Sequence, residues 1–167
     1  AVSILALAQM KDLDSFNKIK EIYFNDIIPV KTSALMYFGV IENQESKNIL
    51  IDALKNGNED LKENAFQGLT WHTKDHDFNL MKSFILKELS NPYLVSKFIK
   101  NLVVVNKPEV VQFLEELILK TDISEYVILS AIYVLYYKNI TKYLLLADSI
   151  LIKYLKDLDN LSKHLLL

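Results

Sequence analysis

The sequence predicts an all-α fold built as a stack of antiparallel helix pairs. Two observations carry most of that expectation. Glycine and proline number three each in 167 residues, too few for the many tight turns of a sandwich or barrel. The stretch from Val30 to Leu69 opens a helix, turns, runs a second helix back, turns at Asn56-Gly57-Asn58 and starts the first helix again at Leu61. The restart repeats residue types: Val30-Lys31 becomes Leu61-Lys62, Ala34-Leu35 becomes Ala65-Phe66, and Phe38 becomes Leu69.

Each element follows from local signals. Val2, Leu5, Ala6 and Met10 have helical spacing and predict a helix from Val2 to Met10. Asp12 or Asp14 is the expected cap of a second helix to about Phe24, with Phe16, Ile19, Ile22 and Tyr23 inward. Asn25-Asp26 ends it, and Pro29 sits just inside the next helix, where a missing N–H costs nothing. That helix runs from Val30 to about Ile41, and its partner from Glu45 to Lys55 with Ile49, Leu50, Ala53 and Leu54 on one face. Asn56-Gly57 reads as a left-handed helix stop. Asp60 is the expected cap of a helix from Leu61 to His72, and Phe78 to Leu89 runs back. Ser90-Asn91-Pro92 stops and restarts the chain into Tyr93 to Val105. Asn106-Lys107-Pro108 breaks it, and Glu109 to Lys120 returns with Val110, Phe113, Leu114, Leu117 and Ile118 inward. Ser124 caps Glu125 to Tyr137, without the glutamate of a full capping box. Lys138-Asn139 turns into a last helix from Thr141 to Leu158.

Aligning the first helix of each pair gives four columns: Val2, Val30, Leu61, Leu94, Val127; Ala6, Ala34, Ala65, Phe98, Ala131; Leu7, Leu35, Phe66, Ile99, Ile132; and Met10, Phe38, Leu69, Leu102, Leu135. All are apolar, and the small second column lets paired helices approach closely. One domain spanning 1–167 follows, with approximate repeats 1–28, 29–58, 59–91, 92–122 and 123–160.

The pattern VKTSALMYFGVI, a short turn, then SKNILIDALKNGNEDLKENAFQGL resembles HEAT repeats of the short bacterial type. The resemblance covers most of the chain. It weakens after Pro92, where Phe98 replaces the small residue and Asn106-Lys107-Pro108 replaces an acidic turn. It implies a right-handed α-solenoid of about five antiparallel helix pairs. In such solenoids the second helix of each unit lines the concave side. The outward residues there are Asn17, Lys18, Glu21, Asn48, Asp52, Lys55, Asn79, Lys82, Gln112 and Glu116. That mixture of charges and amides suits a protein or peptide partner on the concave face better than nucleic acid.

Composition narrows the chemistry. Net charge is −2, and no arginine occurs, so any anion must be held by lysine or backbone N–H groups. The absence of cysteine removes disulfides, thiolate nucleophiles and cysteine-based metal sites. The most apolar segment, Tyr126 to Tyr137, stops at Lys138, well short of the ~20 residues a membrane span needs; it reads as a buried helix. The opening AVSILALAQM lacks a basic region before its apolar run, unlike a signal peptide, and a cytoplasmic location is expected.

Trp71-His72-Thr73-Lys74-Asp75-His76-Asp77 is the most suggestive cluster. Two histidines four apart share a helical face and can bind a metal, but a metalloprotease motif has Glu where Thr73 stands. The cluster therefore reads as a solvated turn with Trp71 in the interhelix core. The Trp71–Asp75 spacing also resembles the aromatic-plus-acid pair of HEAT-like alkylpurine DNA glycosylases. That resemblance implies base excision through Trp71 and Asp75, against which stand the missing arginines and the negative charge. No phosphate loop or nucleophile elbow occurs, and His164 reads as a surface residue. Tyr126, Tyr133, Tyr136, Tyr137, Tyr143 and Tyr154 crowd the last repeat, either as an interaction patch or as core residues with hydroxyls at the edge; Tyr136 and Tyr137 diverge by ~100°, so one is expected to be exposed.

The expected function is a non-enzymatic protein-binding scaffold or adaptor, with no cofactor, metal or catalytic residue. The alternatives are the glycosylase-like enzyme and a regulatory or lyase-associated subunit of a larger enzyme. AVSILALA at one end and Leu165-Leu166-Leu167 at the other are apolar where a solenoid needs polar caps. The expectation is a piece of a longer array, or ends that dock on something, including another copy. Light scattering checks this: mass should grow with concentration, and a clean monomer at high concentration would argue against both.

Overall fold

A computed structural model of the chain describes residues 2–72 and 77–165, and side chains as far as residue 156. Among the described residues all regular structure is helical: α1 (Val2–Gln9), α2 (Phe16–Asn25), α3 (Ile28–Val40), α4 (Gln44–Asn56), α5 (Glu59–Trp71), α6 (Phe78–Lys87), α7 (Pro92–Asn101), α8 (Pro108–Ile118), α9 (Glu125–Tyr137) and α10 (Leu144–Leu165). A 3₁₀ turn, Leu102–Val104, follows α7. It takes the place of the last turn of the helix expected to reach Val105.

Side-chain caps start four of these helices. Asn43, Asn58, Asp77 and Asn91 accept from the backbone N–H of Ser46, Leu61, Leu80 and Leu94 at 2.7, 3.0, 3.0 and 3.2 Å. Each such cap contributes about 1 kcal/mol. Asn58 therefore caps α5 where Asp60 was expected, since Asp60 already lies inside the helix. Neither Asp12 nor Asp14 caps α2. The chain enters it through a backbone turn, Phe16 N–H to the Leu13 carbonyl at 3.1 Å, with Ser15 at the cap making no side-chain bond.

The ends of α1 and α9 are left-handed, at Lys11 (φ 51°) and Asn139 (φ 62°). In each, the next residue's N–H reaches back five residues, Asp12 to Leu7 and Ile140 to Leu135, at 3.0 and 2.9 Å. This is the Schellman arrangement. Gly57, the expected left-handed stop, is instead extended at φ −76° and ψ 163°. A Cβ there would lie 2.5 Å from the Ala53 carbonyl oxygen and 2.8 Å from Leu61 Cβ. Glycine is required by close approach, not by its backbone angles.

Each odd-numbered helix packs on the next: α1 on α3, α3 on α5, α5 on α7, α7 on α9. Each of α2, α4, α6 and α8 packs on the odd helix that follows it. Three of the four predicted columns lie inside from α3 onward, and the first is mixed, with Val30 and Leu61 half-buried and Leu94 and Val127 buried. Ala34, Ala65, Phe98 and Ala131 are fully buried, as are Leu35, Phe66 and Ile99, and Phe38, Leu102 and Leu135. In α1 the phase differs: Ile4 and Ala8 are buried, whereas Val2, Ala6 and Met10 are exposed. The buried pair sits two residues before the expected one, on nearly the opposite side of the helix.

The α3–α5 crossing is a backbone contact. A Cβ on Gly39 would lie 2.6 Å from Gly68 Cα and 3.1 Å from both the Gly68 oxygen and Trp71 Cε3. At α5–α7 the spacing is set by rings, with Phe66 and Phe98 stacked at 4.3 Å and 9°. That is where Phe98 replaces the small residue. At the 3₁₀ turn, Lys138 Nζ donates to the Val103 and Val105 carbonyls at 3.2 and 2.9 Å. Burial holds this ammonium below the ordinary lysine range. Ion pairs also join helices: Lys20–Glu45 links α2 to α4, Lys97–Glu63 links α7 to α5, and Lys82–Glu116 links α6 to α8 at 3.7 Å.

Gly39→Ala should lower stability by about 2–3 kcal/mol, because its Cβ meets backbone and cannot be accommodated by a side-chain rotation. Gly68→Ala should cost less, since its nearest neighbour at 2.7 Å is the tip of Leu50. Urea denaturation of both variants reads the difference. A gain at Gly39, as at an ordinary helical glycine, would mean the crossing is loose.

Candidate functional site

The spacing of the repeats places Met36, Gln67, Lys100 and Tyr133 at one register position of α3, α5, α7 and α9; Val40, Trp71 and Tyr137 of α3, α5 and α9 share another with Val104 of the 3₁₀ turn after α7. Neither set belongs to the buried columns. All eight are exposed or half-buried, so these rows run over the outer side of the odd helices. Two clefts open along them.

The first, of 270 Å³, lies between α1, α3 and α5 and is lined by Leu5, Ala8, Gln9, Met36, Val40 and Trp71. Its wall is apolar, with Gln9 the one polar side chain. The second, of 410 Å³, lies between α7 and α9 and is lined by Lys100, Tyr126, Leu129, Ser130 and Tyr133. Its neighbourhood is aromatic. Tyr93, Tyr126, Tyr133, Tyr136 and Tyr137 are all exposed. Both Tyr136 and Tyr137 face outward, so α9 is buried on one face only. Tyr133 and Tyr137 lie 4.8 Å apart, Tyr126 and Tyr154 6.0 Å apart.

Charge is unevenly used here. Lys97 pairs with Glu63, which holds its ammonium above the ordinary range, and lies 4.5 Å over the Tyr93 ring. Glu125 is held below the ordinary carboxylate range by its bond to Lys153. Lys100 is exposed and has no ion pair among the described residues. The hydrogen bond between Tyr133 and Tyr137 raises the pKa of Tyr133.

The expected concave strip is on the surface, apart from a half-buried Lys82, but none of its residues lines either cleft. Lys82 and Glu116 of that strip pair with each other, and Lys82 also lies 5.1 Å over Phe113. Sequence reasoning aimed its concave face at the even helices; the tyrosines of the last repeat pointed to α9, but the rows along α3, α5 and α7 were missed. The aligned tyrosines Tyr93 and Tyr126 were the available signal.

The Trp71 cluster divides. His72 is buried, and its Nε2 lies 3.1 Å from the Phe38 carbonyl, tying the end of α5 to α3. It is not part of a solvated turn. Trp71 is half-buried at the cleft and not in the core. Asp75 and His76 lie outside the described residues. Among those described, no group of three or more His, Asp or Glu side chains could hold a metal, and no helix is long and apolar enough to cross a membrane. No family model, curated protein or solved structure matches the chain.

The Tyr133–Tyr137 bond has a pH signature. A tyrosine whose folded pKa is raised holds its proton more tightly folded than unfolded. Its contribution to stability is whole below about pH 10 and is lost as pH climbs through the folded value. Tyrosine-resolved NMR titration should find Tyr133 ionising above the ordinary tyrosine range, and Tyr137→Phe should bring it earlier. No change in the variant would mean the two hydroxyls do not meet in solution.

Proposed function

We propose that the chain is a HEAT-like α-solenoid that serves as a non-enzymatic scaffold or adaptor for a protein partner. Packing of like on like supports the solenoid: odd helices on the next odd helix, and Lys20–Glu45 and Lys82–Glu116 joining successive even helices. The observation that carries the binding role is the exposed tyrosine surface of α7 and α9 beside an open cleft. Tyrosines are favoured at binding hot spots because they offer a large, rigid contact area and a hydroxyl. That surface favours a partner against the odd helices over the polar strip first expected.

A second reading, the glycosylase-like enzyme, draws on the cleft beside Trp71. Among the described residues no cation lines that cleft to meet a phosphate, and the chain is acidic overall.

Two measurements separate them. On a DNA column at low salt the chain should flow through; retention that fades as salt rises would favour the enzyme. Affinity capture with mass spectrometry should return a stoichiometric protein partner that Tyr126→Ala/Tyr133→Ala releases. Small-angle scattering should give a radius of gyration above the ~15 Å of a globule of this length, and a value at or below it would overturn the solenoid.

A further inference from the structure

We propose that the cleft between α7 and α9 binds an acidic, extended peptide segment, seating one carboxylate on Lys100 and the neighbouring proline or apolar residue between Tyr126 and Tyr133. The inference rests on the scaffold reading and names the chemistry of its partner.

Charge selects the anion. Four lysines lie on the odd helices. Lys31 reaches the Phe24 carbonyl at 3.4 Å and the Tyr23 ring at 5.8 Å, Lys62 pairs with Glu88 at 2.6 Å, and Lys97 pairs with Glu63. Lys100 alone of the four has no partner among the described residues, and it opens into the cleft. Among the described residues no carboxylate lines that cleft. An arriving carboxylate therefore meets a cation it need not take from another group, and no like charge opposes it.

Shape and surface select the rest. The volume, 410 Å³, admits a few side chains and not a folded domain. Tyr126 and Tyr133 lie seven residues apart on α9, two helical turns along one face, so their rings flank Leu129 and Ser130. Aromatic walls at such a spacing suit an extended, proline-containing chain, which loses little entropy on binding. Nucleic acid is a poorer fit: one lysine without any arginine supplies neither the counterion release nor the forked contact that phosphate binding draws on.

The probe is a short fluorescent peptide of alternating glutamate and proline, read by anisotropy at low salt, with a lysine–proline peptide as control. The glutamate peptide should bind, and its affinity should fall as salt rises. Lys100→Glu should weaken it about tenfold, by removing one surface attraction and adding a repulsion. Tyr133→Ala should weaken it as well, while Lys87→Glu on the exposed end of α6 should leave it unchanged. Circular dichroism confirms that each variant is folded. Absence of binding, equal binding of the lysine peptide, or indifference to Lys100→Glu would overturn the proposal. So would tighter binding of oligothymidine at the same residues. A captured protein partner that ignores Lys100→Glu would leave the scaffold standing and remove this site. Peptide binding as described, with no partner captured, would do the reverse.

Discussion

The contact on which most of the fold depends is the crossing of α3 and α5 at Gly39 and Gly68. Helices normally keep apart by the width of their side chains. Here there is no Cβ on either side, so the two backbones touch. Neighbouring interactions are set by that proximity. Leu50 of α4 reaches over Gly68, Trp71 lies against Gly39, and His72 meets the Phe38 carbonyl. The largest fully buried side chains of α3, Leu35, Tyr37 and Phe38, surround the crossing. Tyr37 donates its hydroxyl to the Asp12 carbonyl and so fastens the α1–α2 turn to the same place.

Further along, the spacing is governed differently. Between α5 and α7 the stacked rings of Phe66 and Phe98 act as a spacer. Beyond them, Lys138 from the end of α9 closes the carbonyls left open by the 3₁₀ turn, groups that would otherwise be costly to leave unpaired. The two halves of the odd-helix surface differ accordingly. The half at the glycine crossing carries a small apolar cleft. The half beyond the phenylalanine spacer carries a larger one, edged by tyrosine and lysine. Outward positions that share a register thus present different chemistry because the sequence changes along each row, from Met36 to Tyr133 and from Val40 to Tyr137.

Helix content, most helix limits and the inward columns from Ala34 to Ala131 were legible in the sequence, because polar residues fix the phase of several helices and the aligned repeats carry that phase to α3 and α9. The phase of α1 was not legible. Its run AVSILALA is apolar almost all round, so either face satisfies the pattern, and packing against α3 chose Ile4 and Ala8. Gly57 was read as a conformational stop because glycine is the residue that tolerates left-handed angles. The actual left-handed residues, Lys11 and Asn139, carry side chains. Glycine's second use, close approach, depends on a partner chain segment that a linear reading does not see. Trp71 and His72 exchanged expected places for a similar reason: adjacent residues on a helix point ~100° apart, and only the position of α3 decides which is enclosed. The odd-helix clefts were illegible because a cleft is a property of two helices and the gap between them.

Trp71 is the chain's single tryptophan, and its ring borders the apolar cleft while remaining partly open to solvent. Indole emission shifts with the polarity around it. The molecule therefore carries an intrinsic optical reporter at one end of its odd-helix surface, unmixed with signal from any other indole. The tyrosine-lined cleft lies on other helices, so a partner that quenches or blue-shifts this emission has reached α1, α3 and α5, and one that leaves it untouched has settled elsewhere.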